Sequence, residues 1–463
     1  MSCSNSQNTS DKPATDDPLL IKSIDKELQS IYKPNEPGAS VIAIRDGKTI
    51  FRRAYGLANV ELQVPMKPDM VFKLGSMTKQ FTAIAIMILQ ERGDLSLNNL
   101  ITTYFPDYPV NEEVITIKHL LSHTSGIKNY NGIQEWKEKI RDKISPKEII
   151  DIFKNEPLEF TPGDKWKYCN SGYTLLAKII EKASGQTYKS FITNNIFKPA
   201  GMDHTYFGTD DQIIPDLVSG YRKEDGLILK AEYMSMSHPY GGGDILSNTD
   251  DLAKWMDALE NNKLISKESL EKCFQPTILN NGTKTNYGYG WFIGDFQGKK
   301  NLYHGGGVYG FVSHGMYLPE EKIYVAVLHN CVDPYTGTPT HAVGDLITGI
   351  LLGLHEQTGE RIAIQLSEEQ LNKYQGVYKF VESPGKRKIS VENNKVYYER
   401  PPRKKENPWS KTEIFPESKY VFFAQGRKST ITFHFNDKDD VTGFTVNQPF
   451  GRTVTTTKME LSK

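Results

Sequence analysis

Apolar positions give the chain its first structure. Between residues 18 and 32 they fall at helical spacing, with Leu20, Ile24, Leu28 and Ile31 on one face, and "SVIAIRDGKTIFRRAYG" then alternates as two strands around Asp46-Gly47. A helix followed by a hairpin is expected. The stretch "FKLGSMTKQFTAIAIMILQERG", residues 72–93, starts strand-like and becomes an apolar amphipathic helix that opens at Ser76 and stops at Gly93, where a C-terminal glycine belongs. Beyond it the pattern is mainly helical to about residue 280. Ser145-Pro146-Lys147-Glu148 combines a capping serine, a first-turn proline and a capping-box glutamate, and Asn248-Thr249-Asp250 precedes the amphipathic "LAKWMDAL". From 286 to 330 the period shortens to that of strands, in "YGYGWFIGDF", "GFVSHGMYLP" and "KIYVAVLHN", and the apolar helix "AVGDLITGILLGLHEQ" closes this part near 357.

Strands at both ends with a helical insert describe an α+β domain over residues 18–357, an antiparallel sheet flanked by helices. A polar joint at 358–366 leads to residues 367–463, where short strands such as "KISVENNKVYYER", "SKYVFFAQG" and "STITFHFNDKDDVTGFTV" are separated by turns. Their alternating aromatic and β-branched residues suit a separate all-β domain, a small barrel or sandwich. At 463 residues the chain has room for both. Residues 1–17, "MSCSNSQNTSDKPATDD", are polar without periodicity and are expected to form a disordered tether.

Charge and cysteine content narrow the class. Lys plus Arg and Asp plus Glu both number 56, so the formal net charge is zero and no overall field draws nucleic acid or an anionic membrane. The basic clusters Lys386-Arg387-Lys388 and Arg403-Lys404-Lys405 lie among turn residues and read as solvated loop charge. Cys3, Cys169, Cys273 and Cys331 have neither metal nor disulfide spacing and read as free thiols. No apolar run reaches the roughly 18 residues a membrane span needs. Cys3, followed by Ser4, Asn5 and a polar leash, resembles the mature end of a bacterial lipoprotein whose signal peptide has been removed. That reading makes Cys3 a candidate lipid anchor and places the chain in the periplasm or cell envelope; the alternative is an incidental cysteine.

Ser-x-x-Lys occurs six times, starting at Ser23, Ser30, Ser76, Ser125, Ser269 and Ser383, and only the copy at Ser76 opens a buried helix. Positions i and i+3 share a helix face, so the Lys79 amine can reach the Ser76 hydroxyl. The positive end of the helix dipole and the apolar residues behind both disfavour an ammonium, which leaves Lys79 able to accept a proton. Serine needs such a neighbour, because its hydroxyl is a poor nucleophile without a base. Tyr168-Cys169-Asn170 is the only Tyr-x-Asn in the chain and His304-Gly305-Gly306 the only His-x-Gly. His119 and His123 in "HLLSH" have the i, i+4 spacing of a zinc pair but lack the glutamate after the first histidine and a third ligand. They read as structural, with His123 holding the "SHTSG" turn.

"GSMTK", "YCNSGY" and "HGGGVYGF", in this order, resemble the class C β-lactamase and penicillin-binding-protein-like serine hydrolases, and "LLSHTSGI", "EFTPGDKWKYCNSGY" and "GGGDILSNTDDLAKW" support the match. The resemblance covers residues 18–357. It implies Ser76 as the nucleophile that forms an acyl-enzyme, Lys79 as the amine that takes or relays its proton, and Tyr168 as base in acylation and acid toward the leaving group. It implies Asn170 as the amide that steadies Lys79 and the substrate, His304, Gly305 and Gly306 on a strand against which substrate lies, and the N–H groups of Ser76 and Gly307 as the oxyanion hole. Neither metal nor organic cofactor is implied.

His304 stands where many relatives have the lysine of Lys-Thr-Gly, and a histidine neutral near pH 7 holds a substrate carboxylate less firmly than an ammonium. Relatives with His-x-Gly include D-aminopeptidases, D-amino-acid amidases and esterases, several with C-terminal barrels. The sequence therefore points to a serine hydrolase of small esters, amides or D-amino-acid-containing peptides, of D-aminopeptidase, D,D-carboxypeptidase or esterase type. A true β-lactamase is the alternative within the enzyme class, and an inactive cell-wall-binding homologue the alternative outside it. Partners are a small molecule or short peptide, and the oligomeric state is open.

Overall fold

A computed structural model describes residues 18–109, 113–224, 226–332, 340–354, 361–381, 385–401, 408–425, 429–447 and 453–459. The polar leash with Cys3, the cluster at Arg403, the serine at 383 and the end of the closing helix near 357 lie outside the described residues. The chain forms two compact units, Met1–Thr348 and Gly349–Lys463.

In the first unit, helix α1 (Pro18–Ile31) buries Ile24 and Leu28 and packs on strand β2 (Lys48–Tyr55), which forms a hairpin with β1 (Ala39–Arg45). Asp46 and Gly47 turn it with φ of 49° and 73°, the paired left-handed conformation that matches strand twist. Helix α2 (Thr78–Arg92) follows a single 3₁₀ turn at Gly75–Met77, and Gly93, at φ 80°, ends it. Its apolar stripe is wider than the amphipathic reading allows: every residue from Thr78 to Leu89 is buried. Helix α3 (Asn170–Ser184) and the helices Tyr188–Ile192 and Lys267–Cys273 pack around it. Its interior threonine is satisfied, because Thr82 Oγ1 donates to the Gly241 carbonyl at 2.6 Å and lies 2.7 Å from the Tyr188 hydroxyl.

Helix α4 (Thr249–Glu260), capped by Asn248, covers β1 and lays Trp255 on Phe81 of α2, ring centroids 4.2 Å apart. Strands β3 (Phe292–Phe296), β4 (Lys299–Val308), β5 (Phe311–Leu318) and β6 (Ile323–His329) complete a six-stranded antiparallel sheet of order β3-β4-β5-β6-β1-β2. Helix α5 (Thr340–Leu351) meets β5 through Gly344, where an added Cβ would stand 2.9 Å from the His314 ring. The N-terminal hairpin and the late strands thus share one sheet, with the helical insert carried on it.

The second unit is a closed eight-stranded antiparallel barrel: β7 (Gly376–Phe380), β8 (Lys386–Glu392), β9 (Lys395–Arg400), β10 (Ser410–Pro416), β11 (Val421–Phe423), β12 (Thr430–Phe435), β13 (Val441–Asn447) and β14 (Thr453–Lys458). Its last strand pairs with its first, Tyr378 opposite Lys458. Tyr374, Tyr378, Phe422, Phe433 and Phe444 fill the interior, which is why the sequence alternates aromatic and polar residues. Lys386-Arg387-Lys388 corrects the loop reading: these residues begin β8, where Arg387 Nε donates to the Tyr398 hydroxyl at 2.9 Å and Lys388 lies 3.3 Å from Glu399.

Among the described residues no helix is long and apolar enough to cross a membrane. Among the described residues Cys169, Cys273 and Cys331 are buried and form no disulfide.

Candidate active site

The 3₁₀ turn holds Ser76 at the mouth of α2 through contacts on both sides. The Leu74 N–H donates to the Ile245 carbonyl at 3.0 Å, the Leu74 carbonyl accepts from Ser313 Oγ at 2.6 Å, and the Ile245 N–H donates to Thr78 Oγ1 at 3.1 Å. Gly75 has φ 55°, and a Cβ there would stand 2.8 Å from the Gly307 nitrogen, so only glycine lets the serine turn approach β4 this closely. The demand is stronger at Gly306, whose Cβ would fall 1.8 Å from the Leu74 carbonyl oxygen. Gly307 has open space at its Cβ position, and the nearest atom to that of Gly305 is 3.5 Å away. Of the glycine run, Gly306 therefore carries the steric requirement.

Lys79 lies fully buried one turn below Ser76. Its Nζ is 3.2 Å from Ser76 Oγ, 2.8 Å from Asn170 Oδ1 and 2.8 Å from the Gly242 carbonyl. Asn170, the first residue of α3, is fixed in turn because its Nδ2 donates to Asn131 Oδ1 at 2.5 Å. Gly242 belongs to the "GGGD" segment; at Gly241, with φ 69°, a Cβ would fall 2.4 Å from that of Ala177. Burial pushes the Lys79 ammonium down to about 7, with the neighbouring Cys169 and Asp244 opposing the shift. Burial also pushes the Asp244 carboxyl up to about 7.

Tyr168 presents its ring 4.9 Å from Lys79 Nζ. Its hydroxyl is buried and makes no hydrogen bond of good geometry, although Ser76 is near enough to lower its pKa against the stronger upward push of burial. His304 sits behind this group and away from the cleft lining. Burial, then Lys79, lowers its pKa to about 3. The ring is therefore neutral: Nδ1–H donates to the Gly305 carbonyl at 2.6 Å, and Nε2 accepts from the Tyr287 hydroxyl at 3.0 Å. Ser76, Asn170 and Gly307 line a cleft of about 120 Å³ together with Tyr130, Trp136 and Met234.

The structure thus brings Ser76, Lys79, Tyr168, Asn170 and Gly307 together, uses Gly306 to bring two backbones together, and keeps His304 behind the cleft rather than in its lining. Sequence reasoning assigned no role to Gly242, Asn131 or Tyr287. The glycine triplet ahead of Asp244 was the available signal for the first; the other two carry none. His119 and His123 each commit Nδ1 to a backbone N–H, from Thr116 at 3.3 Å and from Cys169 at 3.1 Å. Among the described residues no cluster of His, Cys, Asp and Glu suits a metal ion.

A serine poised over a buried amine, on a sheet crossed by a helical insert, defines a serine hydrolase. The chain belongs to the β-lactamase family: the family model described as "Beta-lactamase" matches residues 24–348. Penicillin-binding protein 4* of Bacillus subtilis is 28% identical over 433 residues, 88% of this chain and 93% of that protein. A putative penicillin-binding protein, PbpX, of the same organism is 34% identical over 59% of this chain and 67% of its own length. The octameric penicillin-binding protein homologue from Pyrococcus abyssi matches at a TM-score of 0.64 and 29% identity, over 95% of this chain and 100% of that one. D-amino acid amidase from Ochrobactrum anthropi shares the fold, at a TM-score of 0.62 and 23% identity over 72% of this chain and 97% of its own.

Gly306→Ala forces backbone apart and is expected to cost about 2 kcal/mol of unfolding free energy, whereas Gly307→Ala costs less than about 0.5 kcal/mol; urea unfolding of the two variants measures the contrast. With Lys79 titrating at about 7, modification of Ser76 by a fluorophosphonate is expected to rise with pH through that value as the amine loses its proton, and Lys79→Ala to lack this limb. For stability, the depressed pKa means that the unfolded chain holds a proton the folded one has lost between about 7 and the ordinary lysine value of 10.5, so Lys79 adds stability as pH rises across that window.

Proposed function

We propose that the protein hydrolyses small esters, amides or D-amino-acid-containing peptides through an acyl-enzyme on Ser76. The observation that carries this reading is the Lys79 amine, buried, near neutrality and bonded on three sides. In its neutral form two N–H groups donate to Asn170 and Gly242 at 2.8 Å, and the lone pair is left for the third and longest contact, the Ser76 hydroxyl at 3.2 Å. Ser76 Oγ attacks the substrate carbonyl as its proton passes to Lys79 Nζ. The oxyanion is met by the N–H groups of Ser76 and Gly307, whose residues border the cleft side by side. Tyr168, beside Ser76 and Lys79, carries the proton on to the leaving group, and water then cleaves the acyl-serine in the reverse sense.

The wall supports the choice of substrate. Tyr130, Trp136, Met234 and Pro239 offer apolar and aromatic surface to an acyl group, and no Lys, Arg, Asp or Glu is among the described lining residues. The neutral, internally bonded His304 offers no charge to a carboxylate of the kind β-lactams carry.

An activated short-chain ester, a D-alanyl anilide and a chromogenic cephalosporin assayed side by side test the reading. Turnover of the first two with the cephalosporin slowest is expected; turnover of the cephalosporin alone overturns it. Ser76→Ala should abolish activity, while Lys79→Ala and Tyr168→Phe each lower kcat/KM by about 10³-fold with the fold intact.

A further inference from the structure

We propose that His123 positions Tyr168 for catalysis, gripping the chain on both sides of the tyrosine. The segment before α3, residues 161–169, contains no strand or helix, so no ladder of hydrogen bonds fixes where Tyr168 stands. The Tyr168 hydroxyl has no hydrogen bond of good geometry to orient the ring either. Asn280 holds the far end of the segment, its N–H donating to the Gly163 carbonyl at 2.9 Å and its Nδ2 to the Pro162 carbonyl at 3.0 Å, and the turn that follows the helix Ile117–Leu121 holds the amides on either side of Tyr168. The Lys167 N–H donates to the His123 carbonyl at 3.0 Å, and the Cys169 N–H donates to His123 Nδ1 at 3.1 Å. One residue thus takes the amide before Tyr168 with its backbone and the amide after it with its side chain.

Between these two bonds the imidazole lies against the tyrosine ring itself, centroids 4.3 Å apart, with Tyr287 at 4.7 Å and Tyr173 at 5.1 Å on its other sides. The arrangement needs a neutral ring with Nδ1 bare. Burial first, then Lys79, holds His123 in that state. It also needs an unusual backbone: His123 has φ 60°, a left-handed conformation that lets both its carbonyl and its ring face the same strand of chain. Thr124 and Gly126 extend the contact, their carbonyls accepting from Gly163 and Glu159 at 2.8 Å. A histidine that merely closed its own turn would not need to reach Cys169.

This inference rests on the acyl-serine reading of Ser76 and Tyr168. Two variants separate positioning from turn closure, because glycine and asparagine both accept a left-handed backbone and only asparagine keeps an acceptor near the place of Nδ1. Fluorophosphonate labelling of Ser76 and ester kcat/KM are measured for wild type, His123→Asn and His123→Gly. The expected result is a loss of about 100-fold in His123→Gly, the scale set by ångström misplacement of a reacting group, largely restored in His123→Asn and seen in kcat more than in KM. Equal rates in wild type and His123→Gly overturn the proposal, as does an asparagine variant no better than the glycine one. Failure of wild type to label at Ser76 overturns the acyl-serine reading and this proposal with it. Should the variants not fold, amide exchange in wild type decides: Cys169 N–H protected by at least about 100-fold supports the bond to Nδ1, and exchange at the rate of an open loop refutes it.

Discussion

The structure around the cleft depends on keeping one amine out of water. Moving the Lys79 pKa from 10.5 to about 7 corresponds to on the order of 5 kcal/mol of discrimination against the ammonium. That discrimination requires α2 to be enclosed on every side and requires an acceptor for each hydrogen the amine still carries. The amine's three partners come from places far apart in sequence: the start of α3 and the glycine segment at 241–244, which accept its hydrogens, and the serine turn, whose hydroxyl meets its lone pair. Each is pinned separately, Asn170 by Asn131 and the glycine segment by its close fit against α3. A shift in any of them leaves a buried polar group unpaired, which is costly in a low-dielectric interior.

Behind the amine the protein avoids adding further charge. His304 and His123 are both neutral through burial, aided by Lys79; His304 spends both ring nitrogens on the Gly305 carbonyl and the Tyr287 hydroxyl, and His123 spends Nδ1 on the Cys169 N–H. The aromatic cluster of Tyr168, Tyr287, Phe292 and His304 then serves as a rigid, weakly polar backing. Such a backing strengthens the electrostatic interactions in front of it, since less solvent is available to screen them.

Much of this was legible in the sequence, for reasons that differ from residue to residue. The helix starts at Ser145 and Asn248, the stop at Gly93 and the hairpin at Asp46-Gly47 are local chemistry, and local chemistry is written in adjacent letters. Ser76 and Lys79 could be paired because three residues on one helix face have fixed geometry. Gly242 could not, since its contribution is a carbonyl that any residue possesses. The burial of Lys79 on all sides also exceeded the amphipathic reading of its helix: polar Lys79, Gln80 and Thr82 look like a solvent face until the acceptors waiting for them are known. The same blindness to distant partners hid the strand at Lys386, where charges that resemble a loop open a barrel strand and meet Tyr398 and Glu399 on its neighbour.

The closure of that barrel has a consequence for how the chain is made. Its seam joins β7, the first barrel strand in the chain, to the residues of β14, which follow all the other strands of the barrel. Until those residues leave the ribosome, β7 and β13 have no neighbour on one side and present bare backbone donors and acceptors to any passing strand. The nascent ring is therefore most prone to mispairing at the moment before it is finished, and loss of β14 alone would leave that gap permanently open.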